Sequence, residues 1–301
     1  MSAAETTPRG LTTIAQRSPR RRRLANRIAT TWMIIALLMA VVPLLIILTY
    51  VLLRGLSALN ADFITQAPPF DASETGGGYL NGIRGTLKLI LLSSIIAIPV
   101  GIGAAVYLNE YGRGSKLAPI VRFVADLMTG VPSIFIGIFV FSLVVEGRGY
   151  AAWKGALALS LLMVPIVTRG AEEVLRLVPR DLREASLALG VPRWRTVVNV
   201  VLPASASGLT TISMLAVARA AGETAPLLFT SFGNRFVTGW TDFTSADSAL
   251  PLLIFRDAGS AYAPARDRAW AGALVLITIC LLLTIAARIV ATRGPSLSDQ
   301  R

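Results

Sequence analysis

Six long apolar runs constrain this chain more than any other feature of its sequence. The run 31–53 contains no charged residue, and the run 86–108 contains only Lys88, close to one end. A bilayer-spanning helix needs about 20 predominantly apolar residues. The other runs cover 119–145, 153–167, 203–230 and 269–290, of which 153–167 is the shortest. The sequence therefore predicts an all-α integral membrane protein with six transmembrane helices, in contact with lipid.

Composition excludes several kinds of functional site. The chain has 301 residues with no histidine and one cysteine. Histidine-dependent catalysis, zinc sites that use histidine and an intrachain disulfide are therefore ruled out. The net charge is +12, but 54% of the residues are hydrophobic, whereas nucleic-acid-binding proteins carry their charge on a polar surface. Neither a catalytic site, a metal site nor a nucleic-acid partner is expected.

The basic residues are distributed unevenly around the apolar runs. With a cytoplasmic N-terminus, 17 of the 29 basic residues fall in cytoplasmic segments and 8 in extracytoplasmic ones. Cytoplasmic loops of membrane proteins carry such an excess, so both termini are predicted to be cytoplasmic. The predicted order is a basic cytoplasmic tail (1–30), a first transmembrane helix (31–53), an extracytoplasmic loop (54–85), a core (86–292) and a cytoplasmic tail (293–301).

The segment 179–203, which we name the coupling segment, reads PRDLREASLALGVPRWRTVVNVVLP and has two amphipathic stretches. Pro179 ends the preceding helix, and Asp181 is positioned to cap the next one. Helical spacing predicts a common face formed by Leu182, Ala185, Ser186 and Leu189. Arg183 and Glu184 are predicted to point away from that face.

A break and a second stretch complete the coupling segment. Gly190 and Pro192 interrupt the first helix, a second amphipathic stretch covers 193–201, and Pro203 is predicted to start the next span. Helices this short are only marginally stable in isolation and are stabilised by docking in a groove of a partner. The pattern predicts a helix–turn–helix on the cytoplasmic face that docks on another subunit, although a plain amphipathic surface loop is the alternative.

The coupling segment resembles the coupling loop of bacterial binding-protein-dependent ABC importers. That family's pattern is Glu-Ala-Ala, three residues, Gly, nine residues, then Ile-any-Leu-Pro. The matching residues are Glu184, Ala185, Ser186, Gly190, Leu202 and Pro203, with Ser186 in place of alanine and Val200 in place of isoleucine. The resemblance implies a MetI-like permease core whose loop inserts into a cleft on a separate ATPase subunit.

A phosphate-binding loop for ATP requires a Gly-Lys pair followed by Ser or Thr. None of the chain's lysines follows a glycine. ATP and magnesium are therefore expected on the partner ATPase, with no cofactor on this chain and no enzymatic activity of its own.

Two further segments resemble the PstA-type permease subunits of bacterial phosphate importers. They are ARAAGETAPLLFT at 218–230 and GVPSIFIG at 130–137, and the resemblance extends over about residues 80–292. It implies import of inorganic phosphate across the bacterial cell membrane. It also implies a PstC-type second permease, a dimer of PstB-type ATPase subunits and an extracytoplasmic PstS-type phosphate-binding protein as partners.

Arg219 lies inside the fifth apolar run. An arginine at mid-span costs about 2.5–3.5 kcal/mol on insertion scales and is by default a functional candidate. Glu223, four residues later, is predicted to share its helix face. Either Glu223 only neutralises Arg219, or Arg219 binds passing phosphate with Glu223 and Thr224 beside it in the substrate pathway. Arg122 and Asp126, also four apart, are predicted to form a structural pair.

Two other functions are left open by the sequence. The first is a permease for another oxyanion, such as sulfate or molybdate, that uses the same coupling segment. The second is a membrane-embedded signalling or enzyme subunit. The second alternative has to work without histidine and with no acid–base pair other than Arg219 and Glu223.

Overall fold

A computed structural model describes residues 19–112 and 114–292, and all the regular structure within these ranges is helical. The helices are α1 (Pro19–Ala58), α2 (Ala61–Thr65), α3 (Leu80–Val106), α4 (Leu117–Gly130), α5 (Ser133–Val140), α6 (Ala152–Arg176), α7 (Arg180–Ala188), α8 (Arg193–Thr196), α9 (Leu202–Ala221), α10 (Ala225–Thr230), α11 (Leu250–Ala258) and α12 (Ala263–Thr292). The C-terminal tail 293–301, Arg113 and residues 1–18 of the predicted N-terminal tail lie outside the described residues. The all-α prediction is confirmed.

Wider π-helical turns extend three of these helices. They lie at Tyr107–Tyr111 after α3, at Phe141–Val145 after α5 and at Val197–Val201 between α8 and α9. Such turns occur mainly as local bulges within α-helices. The last of them joins α8 to α9 without a break, so that Arg193–Ala221 forms one continuous helix.

Helices of membrane-spanning length coincide with five of the six predicted runs. These five are continuous, namely Arg21–Ala58, Leu80–Tyr111, Ala152–Arg176, Arg193–Ala221 and Ala263–Ile289. The run 119–145 was predicted as one span, but it is divided into α4 and α5, which meet at 104°. The residue before a proline is disfavoured in the helical conformation, and Val131, before Pro132, is extended with ψ 127°.

The fifth run also differs from its prediction, at both ends. The helix does not start at Pro203. In the π-helical turn before it, the Leu202 N–H group donates a hydrogen bond to the Val197 carbonyl, and the helix accommodates the proline without a break. The helix ends at Ala221, and the remainder of the run forms the separate helix α10. Glycine favours helix ends, and proline is well placed in a first turn. Gly222 and Pro226 occupy these two positions.

The chain divides into two compact units, one ending at Tyr50 and one beginning at Val51. In the first unit, the side chains of α1 from Arg21 to Tyr50 are exposed except for the half-buried Val41. An apolar helix with an exposed surface is suited to contact with lipid.

Helix α6 lies at the centre of the second unit and packs against α3, α4, α9 and α10. In its most apolar stretch 67% of the residues are buried, against 33% in the most apolar stretch of the continuous helix Arg193–Ala221. The main core cluster is formed by Ile90, Ala97, Met163, Val167, Ala216, Val217, Ala220 and Ala221. Helix α9 approaches α6 closely, since a Cβ atom at Gly170 would lie 2.5 Å from Ile212 Cγ2. The shortest predicted run thus supplies the central helix.

A buried ion pair fixes the loop that follows α10. Lys88, close to one end of the run 86–108, is 4% exposed, and its Nζ lies 2.5 Å from Asp247 Oδ2. The same ammonium donates to Thr238 Oγ1 and to the carbonyls of Gly239 and Asp242. Lys88 therefore anchors this loop to α3.

Candidate functional site

The break between α9 and α10 contains the predicted pathway residues. Arg219 lies in the last turn of α9, Gly222 caps the helix, and Glu223 lies beyond the helix end. The expectation that Arg219 and Glu223 share one helix face is therefore wrong. The two side chains are nevertheless close, with Arg219 Nε 3.7 Å from Glu223 Oε1.

The Arg219 side chain is 62% exposed and that of Glu223 is 17% exposed. A separation of 3.7 Å is too long for a hydrogen bond. Among the residues that the structure describes, Arg219 makes no hydrogen bond in any other direction. Its guanidinium is consequently held near a counter-ion while its donors stay available.

Arg219 lies in the wall of a cavity of about 390 Å³. The other lining residues are Met128, Thr129, Gly130, Val131, Pro132, Ser133, Leu162 and Ile166. The cavity thus joins two segments that are far apart in sequence, the α4–α5 break and the end of α9. This part of the wall is the α4–α5 bend itself, where Val131 is extended and the two helices meet at 104°.

The polar groups of the α4–α5 break suit an anion. The first backbone N–H groups of a helix have no partner within the helix and favour negative charge, and the start of α5 at Ser133 lies in the cavity wall. Thr129 Oγ1 donates to the Asp126 carbonyl, so it has only acceptor capacity left. Ser133 and Arg219 are therefore the side-chain donors of this cavity.

Glu223, the second predicted pathway residue, does not line this cavity, and neither does Thr224, the third. Thr224 is the N-cap residue of α10 but makes no side-chain capping hydrogen bond. Helix α10 is held against α5 at close range, since a Cβ atom on Gly137 would lie 2.8 Å from Pro226 Cα. Thr224 thus belongs to the chain break beside the cavity rather than to its wall.

A network of ion pairs joins α4 to α6. Arg122 Nε lies 2.8 Å from Glu172 Oε1, and Arg169 Nε lies 2.7 Å from Asp126 Oδ1. Glu172, which is 1% exposed, also pairs with Arg169 at 2.9 Å and Arg176 at 2.5 Å. The predicted pair of Arg122 with Asp126 is therefore wrong, because each finds its partner on α6. The sequence reasoning missed Glu172, although Arg169 and Arg176 flank it at helical spacing.

The coupling segment folds as two helices joined at Gly190. Helix α7 ends at Ala188, and Gly190 has φ +77°, a conformation that L side chains rarely adopt. Ser186 and Thr196 are buried, and their hydroxyl groups lie 2.9 Å apart, which links α7 to the second helix. The predicted helix–turn–helix is confirmed.

The predicted buried face of α7 is only partly correct. Leu182 packs against the core cluster that contains Leu175 and Val201, and Ser186 is buried, but Ala185 is exposed and Leu189 is 84% exposed. Asp181 lies in the first turn instead of capping the helix, because Pro179 is the N-cap residue.

The remaining predicted coupling residues lie on both sides of this segment. Glu184 is exposed. Leu202 and Pro203 form the start of α9, with Leu202 half-buried against the core and Pro203 exposed. Large apolar side chains are exposed nearby, including Leu187, Leu189 and Trp194. An exposed apolar patch of this kind is typical of a protein-binding surface.

Arg183 points inward, contrary to its prediction. Its Nε lies 3.0 Å from Glu110 Oε1, at the end of α3. Its terminal nitrogens donate to the carbonyls of Val178 at 2.6 Å and Leu175 at 2.8 Å. Arg183 thus attaches α7 to the ends of α3 and α6.

Residues 97–293 match the family described as binding-protein-dependent transport system inner membrane component. The phosphate transport system permease protein PstA of Yersinia pestis is 45% identical over 271 residues, which cover 89% of this chain and 90% of that protein. The PstA protein of Xylella fastidiosa is 40% identical, covering 94% of this chain and 98% of that protein. PstA 1 of Mycobacterium tuberculosis is 39% identical over 280 residues, covering 91% of this chain and 90% of that protein.

The fold is also found among solved structures. An inward-facing conformation of the MetNI methionine ABC transporter contains a chain that aligns with a TM-score of 0.61 at 17% identity, covering 72% of this chain and 95% of that one. This likeness confirms the MetI-like architecture. The chain therefore belongs to the family of binding-protein-dependent transport system inner membrane components, and within it to the PstA permease proteins.

Proposed function

We propose that this chain is a permease subunit of an ATP-driven importer of inorganic phosphate and forms half of the translocation pathway. The observation that carries the proposal is the cavity in which Arg219, without a hydrogen bond to the rest of the described chain, faces the α4–α5 break. The names of the PstA relatives support phosphate as the substrate.

Arg219 would bind phosphate because a guanidinium presents parallel N–H donors that match two phosphate oxygens. Ser133 would add a hydroxyl donor on the opposite wall. Glu223 would keep Arg219 in place between passages, and its negative charge would weaken phosphate binding enough to permit release. A conduction pathway requires such release. Thr224 would act at the break beside the cavity.

The coupling segment would dock on a separate ATPase subunit. The residues assigned to this contact are Glu184, Ala185, Ser186, Gly190, Leu202 and Pro203. Support comes from the exposed apolar side chains around Gly190, with Leu189 84% and Trp194 57% exposed. ATP and magnesium would bind the ATPase, and this chain would carry no cofactor.

The assembly would contain a PstC-type second permease, two PstB-type ATPase subunits and a PstS-type phosphate-binding protein. ATP-driven closure of the ATPase dimer would pull the coupling segments and reorient the broken helices. The chain would lie in the bacterial cell membrane with both termini in the cytoplasm, as the distribution of basic residues favours.

The test is ATP-driven uptake of labelled phosphate into vesicles that contain the complete transporter with Arg219→Gln. A hydrogen bond to a charged group contributes about 1.5–3 kcal/mol, and each 1.4 kcal/mol is about tenfold. Uptake should therefore fall at least tenfold while the complex still assembles and hydrolyses ATP. Arg288→Gln is the matched control, because Arg288 also lies in a membrane helix but lines a different cavity.

Three results would contradict the proposal. Undiminished uptake by the Arg219→Gln transporter would leave Arg219 as a structural ion. Preferential uptake of labelled sulfate or molybdate would assign the pathway to another oxyanion. Failure to recover an ATPase subunit with the chain in mild detergent would favour a signalling or enzymatic role.

A further inference from the structure

A second cavity, of about 540 Å³, lies between the coupling segment, the ends of α3 and α6, and the middle of α4. Its lining residues are Leu108, Asn109, Glu110, Arg122, Arg176, Arg180, Arg183, Glu184, Leu187, Arg193, Thr196 and Val197. Five of these are arginines and two are glutamates, so cationic groups predominate. We name this space the arginine cavity; it shares no lining residue with the cavity beside Arg219.

Three of the five arginines already have carboxylate partners. Arg122 and Arg176 both pair with Glu172, whose side chain is 1% exposed and lies outside the cavity lining. Arg183 pairs with Glu110. The positive charge of these three groups is therefore partly compensated by two carboxylates.

Arg180 and Arg193 are different. Neither has a carboxylate partner nor a hydrogen-bond acceptor within residues 19–112 and 114–292. Arg193 lies over the Tyr111 ring, 5.8 Å from its centroid, which orients its guanidinium without occupying its N–H donors. Arg180 is in the first turn of α7 and Arg193 is in α8. Each of these two helices therefore contributes to the cavity one guanidinium whose N–H donors have no acceptor in the described chain.

The chemistry of this lining selects a small oxyanion. Guanidinium groups bind phosphate oxygens through charge-assisted, often bidentate hydrogen bonds. Apolar side chains in the wall are limited to Leu108, Leu187 and Val197, whereas pockets for organic ligands are lined predominantly by apolar and aromatic groups. A hydrated inorganic anion fits this lining better than an organic molecule does.

We propose that the arginine cavity binds free inorganic phosphate on the membrane side that carries the coupling segment. The ion would be held by Arg180 and Arg193, with Arg176 at the end of α6 as a third contact. Bound there, it would tie both helices of the coupling segment to the membrane helices and restrain the motion that transport needs. Phosphate that has accumulated after import would thus bind this site and slow further transport. This regulatory role rests on the proposed function.

Residue-resolved modification by phenylglyoxal, a reagent for arginine, tests the site in the complete purified transporter carrying Arg219→Gln. Phosphate should reduce modification of Arg180 and Arg193 at least fivefold. It should leave Arg195 unchanged, since Arg195 is exposed in the same segment but does not line the cavity. Equal protection by chloride at matched ionic strength would overturn the proposal.

Other occupants give distinguishable results. If Arg180 and Arg193 are unreactive in the phosphate-free complex, the ATPase subunit fills the cavity and the proposal is wrong. Protection by phosphatidylglycerol vesicles but not by phosphate would assign the site to a lipid headgroup and also overturn it.

Direct binding gives a second measurement. In the same Arg219→Gln background, the double variant Arg180→Gln/Arg193→Gln should bind labelled phosphate at least tenfold more weakly than Arg195→Gln does; equal affinity would refute the assignment. Phosphate uptake by the unmodified transporter is measured separately. A transporter that fails to import phosphate but shows protection would refute only the proposed function.

Discussion

Replacing Arg183 by glutamine tests whether this side chain is what attaches the coupling segment to the membrane helices. The substitution removes the ion pair with Glu110 and the hydrogen bonds to the carbonyls of Val178 and Leu175. Arg183 is 16% and Glu110 9% exposed, so the carboxylate would be left mostly buried without its partner.

The expected magnitude follows from this burial. Removing one partner of a buried ion pair costs about 3–5 kcal/mol. Because Arg183 and Glu110 retain some access to water, the lower end, about 3 kcal/mol, is the appropriate value. The two carbonyls belong to the buried residues Val178 and Leu175, so the loss of their donors adds to this cost and about 3 kcal/mol is a lower bound. A factor of ten corresponds to about 1.4 kcal/mol, so the equilibrium for local opening of α7 should rise at least roughly 100-fold.

Amide hydrogen exchange on the purified transporter measures this opening directly. The amides of α7 should exchange at least roughly 100-fold faster in the Arg183→Gln variant. The matched control is Arg195→Gln, which removes the same charge from the same segment. Arg195 lies 5.1 Å from the centroid of the exposed Trp194 ring, and its loss should change exchange in α7 less than threefold. Equal exchange in the two variants would refute the anchoring role of Arg183.

Two further predictions concern backbone conformation and the buried lysine. Gly190→Val should strain the turn by about 1–2 kcal/mol, because φ is +77° there and the left-handed conformation costs L residues that much. Asparagine is better tolerated at positive φ, so on affinity purification the Gly190→Asn variant should retain more ATPase subunit than the Gly190→Val variant. If the two variants retain the same amount of ATPase subunit, backbone strain at Gly190 does not explain the loss of that subunit. Lys88→Met should lower the free energy of unfolding of the transporter, measured by thermal unfolding in detergent, by about 3–5 kcal/mol, because Asp247 stays buried without its partner. The double variant Lys88→Met/Asp247→Leu should recover at least half of that loss, and no recovery would contradict the ion-pair explanation.

Features that depend on neighbouring residues were predictable from the sequence. The apolar runs gave the helices, because hydrophobicity over about 20 residues suffices to specify a span. The turn at Gly190 and the helices on either side followed from spacing. The resemblance to PstA-type permeases, carried by the segments 130–137 and 218–230, is confirmed by relatives 39–45% identical.

Charged side chains were predicted less well, because their partners are distant in sequence. Arg122 pairs with Glu172, 50 residues away, rather than with Asp126. Arg183 pairs with Glu110, 73 residues away, and so turns inward. The helical spacing that suggested the wrong partners describes one helix only, and ion pairing inside a low-dielectric interior is decided by which helices pack together.

The sequence by itself determined that this chain is a helical membrane protein of the ABC importer permease family, since the length of apolar runs and the spacing of the coupling segment are local properties. Only the tertiary structure decided that α6 is the central helix, that the run 119–145 bends by 104° and that this bend meets Arg219 at one cavity. The physical reason is that burial and ion pairing arise between helices. A single arginine in an apolar run shows only that a charge costly to insert into the membrane is present. The surrounding fold determines which of its N–H donors remain free to bind an anion.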